Sequence, residues 1–178
     1  MKLHYPVNRK LSFRENLHVI LPIMFDNMMF YKKRVSGHPR IKKDLHNMRI
    51  AGKPIRYIME IMEHEYGKVF NINLLEIKST IELMGEIHDC DVFIDELRKY
   101  LHELRTFNNS AHEVKHKFPT AGIIKLINEL KEKRHSLFGR LCEALDKWEK
   151  ENFRAKLVKS MITSRTNEIN YFRKITGR

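Results

Sequence analysis

Five basic or protonatable side chains recur within residues 42–56 at steps of four, three, four and three. They are Lys42, His46, Arg49, Lys53 and Arg56. Because side chains three and four residues apart lie on one face of an α-helix, this spacing predicts a single row of cations about 20 Å long. Arg offers a planar fork of donors and Lys a compact charge, and both suit phosphate oxygens. We call these five residues the basic stripe.

Two interpretations of the basic stripe are open from its spacing. It is either a solvated helix face, paired with carboxylates of neighbouring helices, or a surface that binds a polyanion. A polyanion would meet several cations at once, its affinity would fall steeply with salt, and it would favour protonation of His46. The chain has 34 Lys and Arg against 22 Asp and Glu, a formal net charge of +12. Such an excess attracts polyanions and favours the second interpretation.

Two further motifs resemble catalytic or metal sites. Residues 112–116 read HEVKH and match the zinc-protease pattern H-E-x-x-H. Lys115 would oppose the metal, Pro119 would end the helix, and no third ligand follows at the expected spacing, so we predict a solvated linker and no metal. Asp89 and Asp91 diverge on a helix and are better explained by capping and ion pairing. Because phosphate loops and nucleophile motifs are missing from the sequence, we predict no cofactor and no enzymatic activity.

Helical periodicity runs through almost the whole sequence, and no strand pattern competes with it. Ser12 and Glu15 form a capping box that starts the first helix. The stripe lies on a second helix, over about residues 40–66, whose separate apolar face is available to the core. Gly67 ends this helix and the segment 36–39 breaks the chain before it. We therefore expect the basic side chains to be free to face a cleft.

The remaining elements are also predicted to be helices. One covers about residues 72–84 and stops near Gly85, and another starts at Asp89 or Asp91 and reaches about residue 107. Residues 108–119 form a polar linker, and additional helices occupy 119–175. Together these elements predict an all-α, antiparallel helical bundle of five to six helices, in a single domain over residues 1–178.

Composition restricts the compartment and the partners. Only two cysteines are present, and no stretch approaches about 18 consecutive apolar residues. The first 16 residues lack the apolar centre of a secretion signal. We therefore expect a cytoplasmic protein without membrane insertion. Most aromatic residues have core spacing, and Gly52 and Pro54 disfavour a major-groove helix. A nucleic-acid-binding module and a helical scaffold for an acidic protein remain as alternatives.

Two segments resemble the CHAD domain, the conserved histidine α-helical domain. Residues 45–63, LHNMRIAGKPIRYIMEIME, are similar to its signature helix. The matching positions are His46, Arg49, Lys53, Arg56 and Tyr57. Residues 83–97, LMGEIHDCDVFIDEL, are similar to the family segment that follows, with matches at Gly85, His88, Asp89, Asp91 and Val92. The resemblance covers about residues 12–107.

This resemblance implies a domain that binds inorganic polyphosphate without catalysis and associates with polyphosphate granules. The resemblance makes His88 and the matched basic residues of the stripe the candidates that face the ligand. Lys42 is added only because it lies on the same face of the helix. Asp89 and Asp91 would orient these cations. The full family domain has two related halves, each with a basic helix, but this sequence has one, and Pro54 replaces a usual basic residue. The chain is then either a half-length member that forms a homodimer to complete the cleft, or a weaker binder.

Overall fold

The structure is a computed structural model that describes residues 5–37, 42–110 and 117–162. Its helices are α1 (Phe13–Met29), α2 (Lys32–Gly37), α3 (Lys42–Ile61), α4 (Lys68–Ser110) and α5 (Ala121–Lys150). Residues 153–162 are also helical, and the described ranges contain no strand. Every described helix is too short or too polar to cross a membrane.

Neighbouring helices run in opposite directions. Lys42, at the start of α3, contacts Asp95 in the second half of α4 at 2.6 Å. Arg56, near the end of α3, contacts Glu82 earlier in α4 at 3.6 Å. Ion pairs between α4 and α5 show the same reversal. The predicted all-α antiparallel bundle is therefore confirmed.

The long helix α4 is the central element, because it packs against α3 on one side and α5 on the other. Its 43 residues correspond to a length of about 65 Å. The prediction of two helices separated near Gly85 was wrong, and Asp89 and Asp91 lie inside α4 rather than capping a new helix. A glycine inside a helix costs only about 1 kcal/mol. Burial of Met84 and Ile87 beside Gly85 outweighs that cost.

The other predicted helix boundaries are partly correct. Ser12 accepts a hydrogen bond from the Glu15 backbone at 3.2 Å, and the Glu15 carboxylate accepts one from the Ser12 backbone at 2.9 Å, which confirms the capping box. α3 ends at Ile61, not at Gly67, which lies directly before α4. The predicted break at 36–39 begins later than expected, since α2 continues to Gly37, and residues 38–41 lie outside the described ranges.

Gly52 permits the close approach of three helices. A Cβ atom at this position would lie 2.9 Å from Met28 Sδ of α1 and 3.2 Å from Ile81 Cγ1 of α4. The predicted apolar face of α3 packs into this region, and its members Leu45, Met48, Ile55 and Met59 are all buried. The basic stripe lies beside this face and is thus not required for the core.

Candidate anion-binding site

The basic stripe lies along the side of α3 that borders α4. At its middle, the Arg49 guanidinium lies over the backbone of α4 at Gly85, with Nε 3.7 Å from where a Cβ atom would be. One turn earlier, the His46 ring lies beside the His88 ring of α4, with centroids 5.4 Å apart and planes inclined at 51°. The structure therefore brings His88 to the stripe, as its inclusion among the candidates requires.

The two ends of the stripe are neutralised by carboxylates. Lys42 Nζ contacts Asp95 Oδ2 at 2.6 Å. Arg56 Nε donates to Glu60 Oε1 at 2.8 Å, and its Nη1 lies 3.6 Å from Glu82. The hydrogen bond to Glu60 raises the pKa of Arg56 further above its ordinary range. At its ends, therefore, the stripe matches the interpretation of a paired and solvated face.

The centre of the stripe differs from its ends. Within the described part of the chain, neither Arg49 nor Lys53 has a carboxylate oxygen within 4.0 Å. Both side chains are half-buried, and both line a groove of about 430 Å³ between α3 and α4. An anion that enters this groove can contact both cations without first displacing an ion pair. We call it the stripe groove.

The wall of the stripe groove on α4 is acidic. It carries Glu82, Glu86 and Asp89, which face the cations across the groove. Asp89 has no ion pair among the described residues, although it was predicted to orient the cations. One exposed ring, Tyr57, also lines the groove, with 52% of its surface accessible. Tyr57 is therefore an exception to the core spacing expected for most of the aromatic residues.

Asp91 does orient cations, but its main partner lies on α5. Its side chain is 7% exposed and accepts two hydrogen bonds from Arg134, from Nε at 2.7 Å and from Nη2 at 3.2 Å. Lys42 Nζ is a more distant neighbour of the same carboxylate, at 3.8 Å. The sequence interpretation missed Arg134. It follows Leu130 by four residues and precedes Leu137 by three, so a cation on the buried face of α5 was a usable signal.

Metal binding gains no support from the described residues. Among them, no three His, Cys, Asp or Glu side chains cluster closely enough to hold a metal ion. The HEVKH motif at 112–116 lies outside the described ranges, as do residues 111–116, half of the predicted linker 108–119, whose first three residues belong to α4. Asn108 reaches across this segment and exchanges two hydrogen bonds of 2.8 Å with the backbone of Phe118.

Comparison with known proteins agrees with this geometry. The family model described as CHAD domain matches residues 30–98, a partial span that includes all of α3 and most of α4. This span lies inside the region of resemblance predicted from sequence. No curated protein and no solved structure matches the chain. The stripe, His88 and both aspartates all lie within residues 30–98, the segment that is similar to the CHAD domain.

Proposed function

We propose that the protein binds inorganic polyphosphate, or a polyanion with similarly spaced charges, through the basic stripe, and performs no chemistry on it. The observation that carries the proposal is the stripe's centre. There Arg49 and Lys53 line one groove without a carboxylate within 4.0 Å among the described residues, and His46 lies one turn away beside His88. A chain of phosphates would contact these groups in succession and release its counterions.

Two other observations support a polyanion as the ligand. The 34 Lys and Arg outnumber the 22 Asp and Glu, so the carboxylates of this chain leave a net charge of +12. The CHAD family, to which the match at 30–98 points, is associated with polyphosphate binding. A cytoplasmic location at polyphosphate granules belongs to the same proposal and rests on the family resemblance.

Single-stranded nucleic acid is the second candidate, because one feature of the groove favours it. The exposed ring of Tyr57 lies next to Arg56 and offers a surface on which a base could stack. Polyphosphate has no bases and gains nothing from such a ring. Removal of the Tyr57 ring should therefore weaken binding of single-stranded nucleic acid but not binding of polyphosphate, so a substitution at Tyr57 distinguishes the two candidates.

A competition experiment tests the proposal. Labelled long-chain polyphosphate is titrated with the protein at about 150 mM salt, and duplex DNA or single-stranded RNA is then added at the same phosphate concentration. We expect polyphosphate to remain bound, and Tyr57→Ala to leave its affinity unchanged. Displacement by nucleic acid at equal or lower concentration, together with a loss of RNA binding in Tyr57→Ala, would instead establish the second candidate.

The proposal also covers assembly. A half-length CHAD member has one basic helix per chain. If two copies associate, their two stripes would lie around one anion. The homodimer is then expected to depend on the ligand, because two cationic faces repel each other until an anion lies between them. Sedimentation analysis with and without polyphosphate distinguishes this assembly from a monomer that binds polyphosphate alone.

A further inference from the structure

A second groove, separate from the stripe groove, lies where α3, α4 and α5 meet. It has a volume of about 540 Å³. Its lining side chains are Lys42, Asp91, Ile94, Arg98, Lys131 and Arg134. We call it the junction groove. Lys42 belongs both to this groove and to the basic stripe, so the two sites are joined at the start of α3.

The junction groove is more strongly cationic than the stripe groove. Its lining contains four cations and one carboxylate, whereas in the stripe groove three cations face three carboxylates. Asp95, at its edge, contacts both Lys42 and Arg98, at 2.6 and 3.6 Å. With Asp95 included, the local net charge is still about +2. A compact anion of high charge is therefore more favoured here than beside the acidic wall of the stripe groove.

The guanidinium of Arg134 is held in place by a buried carboxylate. Asp91 accepts hydrogen bonds from Nε and Nη2, and the Arg134 side chain is only 14% exposed. An arginine fixed in this way loses little rotamer freedom when it binds a ligand. Ile94 contributes an apolar patch to the same lining, and partial exclusion of water strengthens charge interactions. These features are typical of a preorganised anion site.

Lys131 is the cation of this groove with the fewest internal interactions. Its Nζ lies 3.4 Å from Asn128 Oδ1, and no carboxylate lies within 4.0 Å of it in the described residues. It is exposed on α5 and can move toward a ligand without breaking an ion pair. Arg98 is also exposed, and its contact with Asp95 is long enough to be exchanged for a phosphate oxygen.

We propose that the junction groove is a second anion site, which binds a compact phosphoanhydride such as tripolyphosphate or the end of a longer chain. The identity of the longer ligand rests on the proposed function, but binding of the short anion does not. Arg134 and Lys42 supply fixed charges, and Lys131 and Arg98 close over the ligand from α5 and α4. Lys42 then connects a bound chain end to the stripe.

Calorimetric titration with sodium tripolyphosphate tests this site. We expect Lys131→Gln and Arg98→Gln each to lower the affinity for tripolyphosphate by about fivefold, the effect of one partly screened charge contact. Lys125→Gln is the matched control, because it removes the same charge from the same helix at a side chain that is 80% exposed and lies outside the groove. It should change the affinity by less than about twofold.

A second readout locates the ligand directly. The Arg134 Nε–H resonance, identified by its loss in Arg134→Lys, should shift on titration with tripolyphosphate. Arg49→Gln with Lys53→Gln should leave that shift and the tripolyphosphate affinity unchanged. The inference is overturned if this pair of substitutions lowers the affinity for tripolyphosphate more than Lys131→Gln does. It is also overturned if Lys131→Gln and Lys125→Gln lower that affinity equally, or if the wild-type protein binds only long chains. Failure to bind long chains would count against the proposed function instead.

Discussion

Replacing Arg49 and Lys53 together by glutamine should weaken polyphosphate binding and reduce its dependence on salt. Neither side chain has a carboxylate within 4.0 Å in the described residues, so both can contact phosphate without losing an ion pair. Each phosphate contact contributes about 0.7 to 0.9 to the slope of log affinity against log salt, so the slope should fall by about 1.6. At about 150 mM salt, two such contacts correspond to about 20-fold in affinity, or about 1.8 kcal/mol.

The assay is fluorescence anisotropy of labelled long-chain polyphosphate at a series of salt concentrations between about 50 and 400 mM. Two variants serve as comparisons. Lys99→Gln with Lys125→Gln lowers the net charge equally at exposed positions outside both grooves. Arg56→Gln removes a cation of the stripe that Glu60 already neutralises. It should therefore cost less affinity than Arg49→Gln alone.

Circular dichroism checks that the variants stay helical. We expect no loss of helix, because Arg49 and Lys53 lie in the stripe groove and outside the apolar face of α3. If the Arg49 and Lys53 variant kept the wild-type salt slope, the stripe would not be the binding surface. If the Lys99 and Lys125 variant lost as much affinity, binding would reflect net charge alone. If Arg56→Gln cost more than Arg49→Gln, the ranking of cations by their ion pairs would be incorrect.

Three other predictions concern the histidine pair, a buried ion pair and a close helix contact. His46→Asn should weaken polyphosphate binding, because it removes one of the two imidazole rings that meet at the stripe, as fluorescence anisotropy at a fixed pH will show. Asp91→Asn leaves the Arg134 guanidinium without its carboxylate and should lower the free energy of unfolding by about 3 kcal/mol in urea denaturation. Asp89→Asn, at an exposed position, should change the same free energy by no more than about 0.5 kcal/mol. Equal losses in these two variants would contradict the importance of the buried pair. Gly52→Val places side-chain atoms against α1 and α4 and should cost about 2 kcal/mol or more, whereas Gly139→Ala, with nothing within 4 Å, should stabilise α5 by about 0.5 to 1 kcal/mol in thermal unfolding. A neutral Gly52→Val would show that the three helices can separate there.

Much of the local structure follows from patterns visible in the sequence. The capping box at Ser12 and the apolar face of α3 were predicted and are present, because each depends on residues within four positions of one another. The helix break predicted at Gly85 is absent, because continuity there depends on contacts with residues distant in the sequence. Local propensity favoured a stop, but α4 packs against both α3 and α5, and burial of Met84 and Ile87 keeps the helix continuous at Gly85.

Residue order alone is enough to establish the helical class, the separation of apolar and basic faces on α3, and a row of cations whose chemistry suits phosphate. Which of those cations are neutralised depends on how the helices pack. Arg134 and Asp91 are 43 positions apart, and Lys42 and Asp95 are 53 apart. Such pairs form only when the helices pack in a particular register, which no short-range pattern records. Packing therefore leaves the centre of the stripe unpaired among the described residues, and it creates the junction groove from residues of three helices.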